Sequence, residues 1–389
     1  MYDIITIKKI VAGPGAIDAL GREVKNLQVE RVLIVTDKGV LNAGVVDMAL
    51  KSLKKDGIKF EIFDEIEPNP KDTTVEKGAQ YLRDTNAEAV IGIGGGSSMD
   101  AAKVAAVLSC NKGSVEKYYD SFNESPDPFE NQGKPVIAVA TTSGTGSEVT
   151  PAAMITDTKN NIKRLVVGWS IAPVVAITDP LLTLSLPARL TAETGMDALV
   201  HAIEAYISKS ANLISDANAY HAIKLILNSI RKAYANGENV EARTDMMIGS
   251  TLAARAFANV GLGMVHSLGQ TISGKYNAPH GLTMAVFLPI SMEYNFMATP
   301  EKCADIAEIM GKNISGLSTI DAARLSIEGT RELLNDLNIA EDIKSMGVTE
   351  ESISVLAELA MKDNCTSNNP RSINTEGYKQ LYYKLYSRD

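Results

Sequence analysis

Four histidines are all this chain of 389 residues contains, at positions 201, 221, 266 and 280. Three of them have surroundings suited to a metal. In GMDALVHAIEAY, Asp197 and His201 stand four residues apart in a stretch with helical spacing. That puts both side chains on one face about one turn apart, which is ligand spacing. His266 lies in GLGMVHSLG and His280 in NAPHG. A carboxylate with three imidazoles suits Zn²⁺ or Fe²⁺, and the ligand types do not separate the two. Taken singly, a histidine is more often a hydrogen-bonded core residue, and Glu193 and Glu204 on the same helix would also fit a solvated face. His221, at helical spacing among Tyr220, Ile223 and Lys224, is assigned to structure.

A second kind of chemistry is written in glycines. The run VIGIGGGSSMDAAKVAA over 90–106 takes a buried strand into Gly92, Gly94, Gly95, Gly96 and Ser97, and a helix follows. Glycines let the backbone approach an anion, and a helix start offers free N–H groups and a positive dipole end. That suits a pyrophosphate; the alternative is a tight turn with Ser97 or Ser98 as N-cap. A dinucleotide fingerprint normally carries an acid about 20 residues after its glycines. Here the acid at a strand end, Asp37 in VLIVTDKG, precedes them. An Asp there would hold ribose hydroxyls and repel a 2′-phosphate, or else cap a helix. A second loop, ATTSGTGSEVT over 140–150, follows another buried strand and again offers small donors where α/β sheets hold ligands.

These residues need elements to position them. Arg31–Thr36, Lys59–Phe63, Ala89–Ile93, Pro135–Ala140, Arg164–Val167 and Val174–Thr178 read as short, β-branched, buried strands. Between them Val45–Lys55, Thr73–Thr85 and Met99–Ser109 show helical spacing. The alternation predicts a parallel sheet covered on both faces. Segment 118–134, polar with two prolines, reads as a loop. After Pro187 the pattern is helical throughout: Thr191–Ser208, Asn212–Tyr234, Glu241–Ala258, Tyr294–Met310, Ile320–Leu337, Glu350–Lys362 and Thr375–Tyr386, with no convincing strand. The expectation is a Rossmann-like α/β nucleotide-binding domain over residues 1–184 and an all-helical metal-binding domain over 185–389.

Composition narrows the partners. The net charge of −9 works against a phosphate backbone, so nucleic acid is a poor partner. Cys110, Cys303 and Cys365 form neither a disulfide framework nor a CxxC zinc site, which fits a reducing cytosol. The start of the chain lacks the apolar core of a signal peptide. The most apolar long stretch, 165–187, holds Pro173, Asp179 and Pro180, which a membrane span does not tolerate comfortably. A soluble cytoplasmic protein is expected.

Put together, the motifs resemble one family. GPGA at 13–16, EPNP at 67–70, GGGSSMDAAK at 94–103, TTSGTGSEVT at 141–150 and DPLLTLSLP at 179–187 are followed by TAETGMDALVHAIEAY at 191–206. NVGLGMVHSLG at 259–269, NAPHG at 277–281 and CTSNNPR at 365–371 complete the set. In this order they resemble the iron-containing (group III) alcohol dehydrogenases, the family of lactaldehyde reductase and 1,3-propanediol dehydrogenase. The resemblance implies metal ligands at Asp197, His201, His266 and His280, with Fe²⁺ or Zn²⁺ as the ion. It implies NAD(H) contacts at Asp37, Gly94, Gly95, Gly96, Ser97, Thr141, Thr142, Lys163 and Leu182. It implies a substrate pocket at Phe257 and Cys365, with Ala152 near the nicotinamide, and a small alcohol or aldehyde as substrate. Relatives assemble as dimers or larger rings, so a homo-oligomer is expected.

One position departs from the pattern. Many relatives carry a histidine four residues after the third ligand; here it is Gln270, which hydrogen-bonds but exchanges no proton near neutral pH. Three alternatives stand beside this reading. A glycerol-dehydrogenase-like zinc polyol enzyme is one, and a non-catalytic nucleotide-binding assembly module is another. The third, a phosphate-eliminating synthase, would need more Lys and Arg near the ligands than the chain has.

Overall fold

The computed structural model describes residues 4–121, 125 and 127–387. The stretch 122–124 and residue 126, part of the expected loop over 118–134, lie outside the described residues. Contacts divide the chain into two units, Met1–Leu186 with Gly237–Thr251, and Pro187–Asn236 with Leu252–Asp389.

The first unit is built on eight strands: β1 (Ile10–Ala12), β2 (Arg31–Val35), β3 (Lys59–Phe63), β4 (Ala89–Gly94), β5 (Val136–Ala140), β6 (Ala152–Asp157), β7 (Ile162–Val167) and β8 (Val175–Thr178). Six form one sheet in the order β1-β8-β5-β4-β2-β3, every pairing parallel. The helices are α1 (Leu20–Asn26), α2 (Lys38–Asn42), α3 (Val45–Lys55), α4 (Asp72–Asp84) and α5 (Gly96–Leu108). The sheet is apolar on both faces because both are covered. In β2, Leu33 and Val35 join a cluster with Val75, Leu82, Val104 and Val107. Val32 and Ile34 join the other cluster, with Val24, Val46 and Leu53. That is the period-two alternation of a strand with helices above and below.

The strand expected at Arg164–Val167 is a different object. It is β7, antiparallel to β6, and the pair stands apart from the parallel sheet. Only one side of it packs: Ala153, Ile155 and Val166 enter the core cluster, while most other positions stay half-buried.

Helix α8 (Val240–Val260) spans the division, its residues through Thr251 grouping with the first unit. Buried Arg243 donates there from Nε to the Gly237 carbonyl at 2.9 Å and from Nη2 to the Leu186 carbonyl at 3.1 Å.

The second unit is helical, with no strand among its described residues. It holds α6 (Ala188–Ile207), α7 (Leu213–Ala235), α9 (Met264–Tyr276), α10 (His280–Asn295), α11 (Pro300–Ile309), α12 (Thr319–Asp336), α13 (Ile353–Lys362) and α14 (Thr375–Tyr386). Local chemistry explains several starts. Asn212 and Ser215 form a reciprocal capping box on α7, and Ser318 caps α12. The stretch expected as one helix over Tyr294–Met310 is broken, because Pro300 lacks the N–H to continue a helix and instead opens α11. Helix α10 is buried from Thr283 to Met292 and contains Pro289. It is apolar on every side, which is why no amphipathic period marks it.

Candidate metal centre and nucleotide loops

Helix α6 is buried along almost its whole length, so its polar residues are committed to partners inside the unit. Asp197 and His201 lie one turn apart on it, with Asp197 Oδ1 3.8 Å from His201 Nε2. The start of α9 brings His266, whose Nε2 lies 4.0 Å from the same oxygen. The first residue of α10 brings His280, whose Nε2 lies 3.6 Å away. Two atoms each about 2.0–2.2 Å from one ion lie at most about 4.4 Å apart, and each of the three imidazoles is within that span of Asp197 Oδ1; Asp197, His201 and His266 also offer ligand atoms within 4.8 Å of one another.

The packing that allows this is tight. A side chain at Gly281 would sit 2.2 Å from the Glu193 carbonyl oxygen, so only glycine lets α10 start this close to α6. The rings of His201 and His266 stack with centroids 4.8 Å apart, and Phe257 on α8 lies 4.5 Å from His201. His266 Nε2 is buried with no hydrogen-bond partner among the described residues. A buried imidazole nitrogen left that way is costly, and a metal ion would satisfy it. The residues therefore fit the ion that the sequence implied.

The electrostatics around His266 are strongly negative. Burial opposes its protonation, but the charge and hydrogen bond of Glu204, with Asp197 and Asp363, outweigh it and raise its pKa. A bound cation answers the same field. Asp363 itself is pushed up by burial. Burial, then Asp363 and Glu204, hold the Cys365 thiol well above its ordinary value. Cys365 is thus a neutral thiol and not a thiolate. Gln270 lies one turn beyond His266 on α9 and is half-buried. His221 is exposed on α7, outside this cluster.

In the first unit, the glycines close β4 and open α5: Gly94 ends the strand, Gly95 is the N-cap, and Gly96 and Ser97 begin the helix. Gly94 has φ 154°, and a side chain there would meet Ser98 Oγ at 2.6 Å. Asp37 takes the capping role weighed for it and also reaches the glycine loop. Its Oδ1 caps α2 by accepting from Val40 N at 3.0 Å, and its Oδ2 accepts from Ser98 Oγ at 2.9 Å. Thr141 N donates to the Gly94 carbonyl at 3.0 Å, bringing the second loop beside the first. Thr142 lies 3.5 Å from where a side chain on Gly95 would begin, and its hydroxyl is buried without a partner among the described residues. Ala152 opens β6, Lys163 lies in β7 opposite Thr156, and Leu182 is buried in the turn Pro180–Thr183.

Several organising residues escape a reading of the sequence. Glu204 looks solvated, yet it is buried and holds His266. The signal was present: 197, 201 and 204 follow the i, i+4, i+7 spacing of one helix face. Lys103 closes the GGGSSMDAAK motif and is wholly buried. Asn69 of EPNP donates its N–H to Ser97 Oγ at 3.3 Å, tying that motif to the glycine loop. Asn369 of CTSNNPR forms a reciprocal amide pair with Asn295, at 2.8 and 2.9 Å.

Comparison with known proteins agrees across both units. The family model for iron-containing alcohol dehydrogenase matches residues 8–180, and that for the Fe-containing alcohol dehydrogenase family, C-terminal, matches 191–386. The chain is 42% identical to 1,3-propanediol dehydrogenase of Citrobacter freundii, covering 99% of both chains. It is 40% identical to NAD-dependent methanol dehydrogenase of Bacillus methanolicus, covering 95% of this chain and 96% of the other. A crystal structure of 1,3-propanediol oxidoreductase superposes with a TM-score of 0.96 at 41% identity, covering 99% of this chain and 100% of that one.

Proposed function

The chain belongs to the iron-containing alcohol dehydrogenase family, and from that premise we propose that it is an NAD(H)-dependent dehydrogenase of short-chain primary alcohols or diols, equally a reductase of their aldehydes. The observation that carries this is the grouping of Asp197, His201 and His266, with His280 Nε2 3.6 Å from the same Asp197 oxygen. The family match over both units leaves the assembly-module alternative without support.

Asp197, His201, His266 and His280 would hold the ion. When bound, it supplies Lewis-acid polarisation of the substrate oxygen, and the nicotinamide supplies the hydride site. The four ligands need move no proton; they fix position and charge. We assign Fe²⁺ as the ion: the family match supports it, and one carboxylate with three imidazoles serves it as well as Zn²⁺. Phe257, packed on His201, and the neutral Cys365 would keep the substrate side of the second unit apolar and dry, with Gln270 as a hydrogen-bonding wall; in the first unit, Ala152 would lie near the nicotinamide. In the first unit, Gly94, Gly95, Gly96 and Ser97 would receive the pyrophosphate at the α5 N-terminus. Asp37 would take the ribose hydroxyls and select NAD(H) over its 2′-phosphorylated form by charge repulsion. Thr141, Thr142, Lys163 and Leu182 complete the proposed cofactor contacts. The free cysteines support a reducing, cytoplasmic setting.

The test is metal analysis of anaerobically purified protein together with NADH oxidation against propanal. About one iron per chain with turnover is expected. Absence of both, with no restoration by Fe²⁺ or Zn²⁺, would overturn the reading.

A further inference from the structure

One buried carboxylate contacts a proposed ligand without being placed to bind the ion itself. Glu204 sits on α6 on the face that carries Asp197 and His201, with its side chain 3% exposed. Its Oε1 accepts from the backbone N–H of Val265 at 2.6 Å. Its Oε2 lies 2.6 Å from His266 Nδ1. Both oxygens are thus spent on the first turn of α9, whose N-cap, Gly263, has no side chain to cap it.

We propose that Glu204 is the positioning residue of the metal centre, holding His266 as the Nδ1–H tautomer so that Nε2 is the atom presented to the ion. An ionised carboxylate only accepts hydrogen bonds, so the short contact requires the proton on Nδ1. The lone pair of Nε2 is then directed to the side where Asp197 Oδ1 lies, 4.0 Å away. The second oxygen prevents α9 from rotating, because it anchors the residue immediately before His266. The neighbours are shaped around this carboxylate. A side chain on Gly263 would begin 3.0 Å from Glu204 Oε1 and 3.2 Å from Asn369 Oδ1. Asn369 Oδ1 accepts the next free N–H, that of Met264, at 3.3 Å. The GLGMVH and CTSNNPR motifs thereby serve one purpose, which is to fix the ring of His266.

This inference rests on the metal-centre reading, and the experiment keeps the two apart. Zinc affinity is measured by chelator competition for the parent, E204Q, H266A and the double variant, with thermal melting of each metal-free protein. Glutamine keeps the shape but can accept only one of the two hydrogen bonds. In the parent background E204Q should weaken zinc binding about 10–100-fold, the range for outer-shell partners of metal-bound histidine. Its metal-free melting temperature should stay close to that of the parent. In the H266A background it should change zinc affinity little, since the residue it acts through is gone. Cobalt-loaded E204Q should show a shifted visible absorption spectrum. An unchanged zinc affinity in E204Q would overturn the proposal, and so would an equal loss in both backgrounds. A parent chain that binds no zinc or cobalt would instead overturn the metal-centre reading and this one with it. Should E204Q fail to fold, the zinc-loaded parent labelled with ¹⁵N-histidine decides: only four histidines contribute signals. The His266 resonance, assigned by its loss in H266A, must show a protonated Nδ1; an unprotonated Nδ1 refutes the assignment.

Discussion

The Lys103 ammonium, with none of its side chain exposed, donates to the Ser147 carbonyl at 3.0 Å. It donates again to the Ala152 carbonyl and pairs with Asp100 Oδ1 at 3.0 Å. Asp100 in turn accepts from Ser147 Oγ at 2.5 Å and from Met154 N at 2.9 Å. The last residues of the glycine motif therefore clamp the loop that carries Thr141 and Thr142.

Replacing Lys103 by Met should free that loop. Each buried acceptor left without a donor costs about 1–3 kcal/mol. K103M is expected to melt several degrees lower and to bind NADH more weakly, read by nucleotide fluorescence. Parent-like melting and parent-like NADH affinity together would show that the clamp holds nothing that matters.

Asp37 caps α2, and a substitution that tests its proposed role at the ribose must be separated from loss of that cap. Removing the side chain with D37G takes away the α2 cap as well as the charge, at a cost of a few tenths of a kcal/mol to about 1 kcal/mol in helix stability. D37N keeps an acceptor for Val40 N while losing the charge and the acceptor for Ser98 Oγ. Both variants should improve use of the 2′-phosphorylated cofactor relative to NAD, by roughly tenfold if about 1.4 kcal/mol of repulsion is relieved. Unchanged cofactor ratios in D37N would place Asp37 away from the ribose.

What the sequence could disclose depended on whether the information was local. The strand β2 was legible because each of its residues packs on one of two covered faces, leaving an unbroken apolar run. The glycine loop was legible because Gly94 needs its backbone angle. Helices α9 and α10 were not, although they carry His266 and His280. The first opens on GLG, and the second is apolar all round and holds Pro289, so neither shows an amphipathic period. Strand β6 was missed because it lies outside the parallel sheet, paired with β7, and its alternation is short. Glu204 and Lys103 were misread or overlooked because a charge reads as solvated until its distant partner is known.

Gln270, one turn beyond His266 on α9, is the position at which a proton relay can be tested. A histidine at this position would titrate near neutral pH, where glutamine does not. Q270H is expected to add an ionisation between about pH 6 and 8 to the kcat/KM profile and to reorder a panel of short aldehydes. A profile and ranking identical to those of the parent would make Gln270 a bystander.

Glu23 should set part of the acid sensitivity of the first unit. Its side chain is 1% exposed and accepts from Lys9 Nζ at 2.6 Å, from Arg22 Nε and Nη2 at 3.1 Å, and from Asn26 Nδ2 at 3.3 Å. Burial pushes its pKa up, but the hydrogen bonds from Lys9, Arg22 and Asn26 and the charge of Lys9 outweigh this and hold it below the ordinary glutamate value. A pKa lowered in the folded state means the unfolded chain binds the proton more readily. The stabilisation is therefore complete above the ordinary carboxylate range and disappears as pH falls through the folded value. E23Q should melt below the parent at pH 7, and the two melting curves should converge toward pH 3. A gap that stays constant across that range would mean the carboxylate acts by packing rather than by charge.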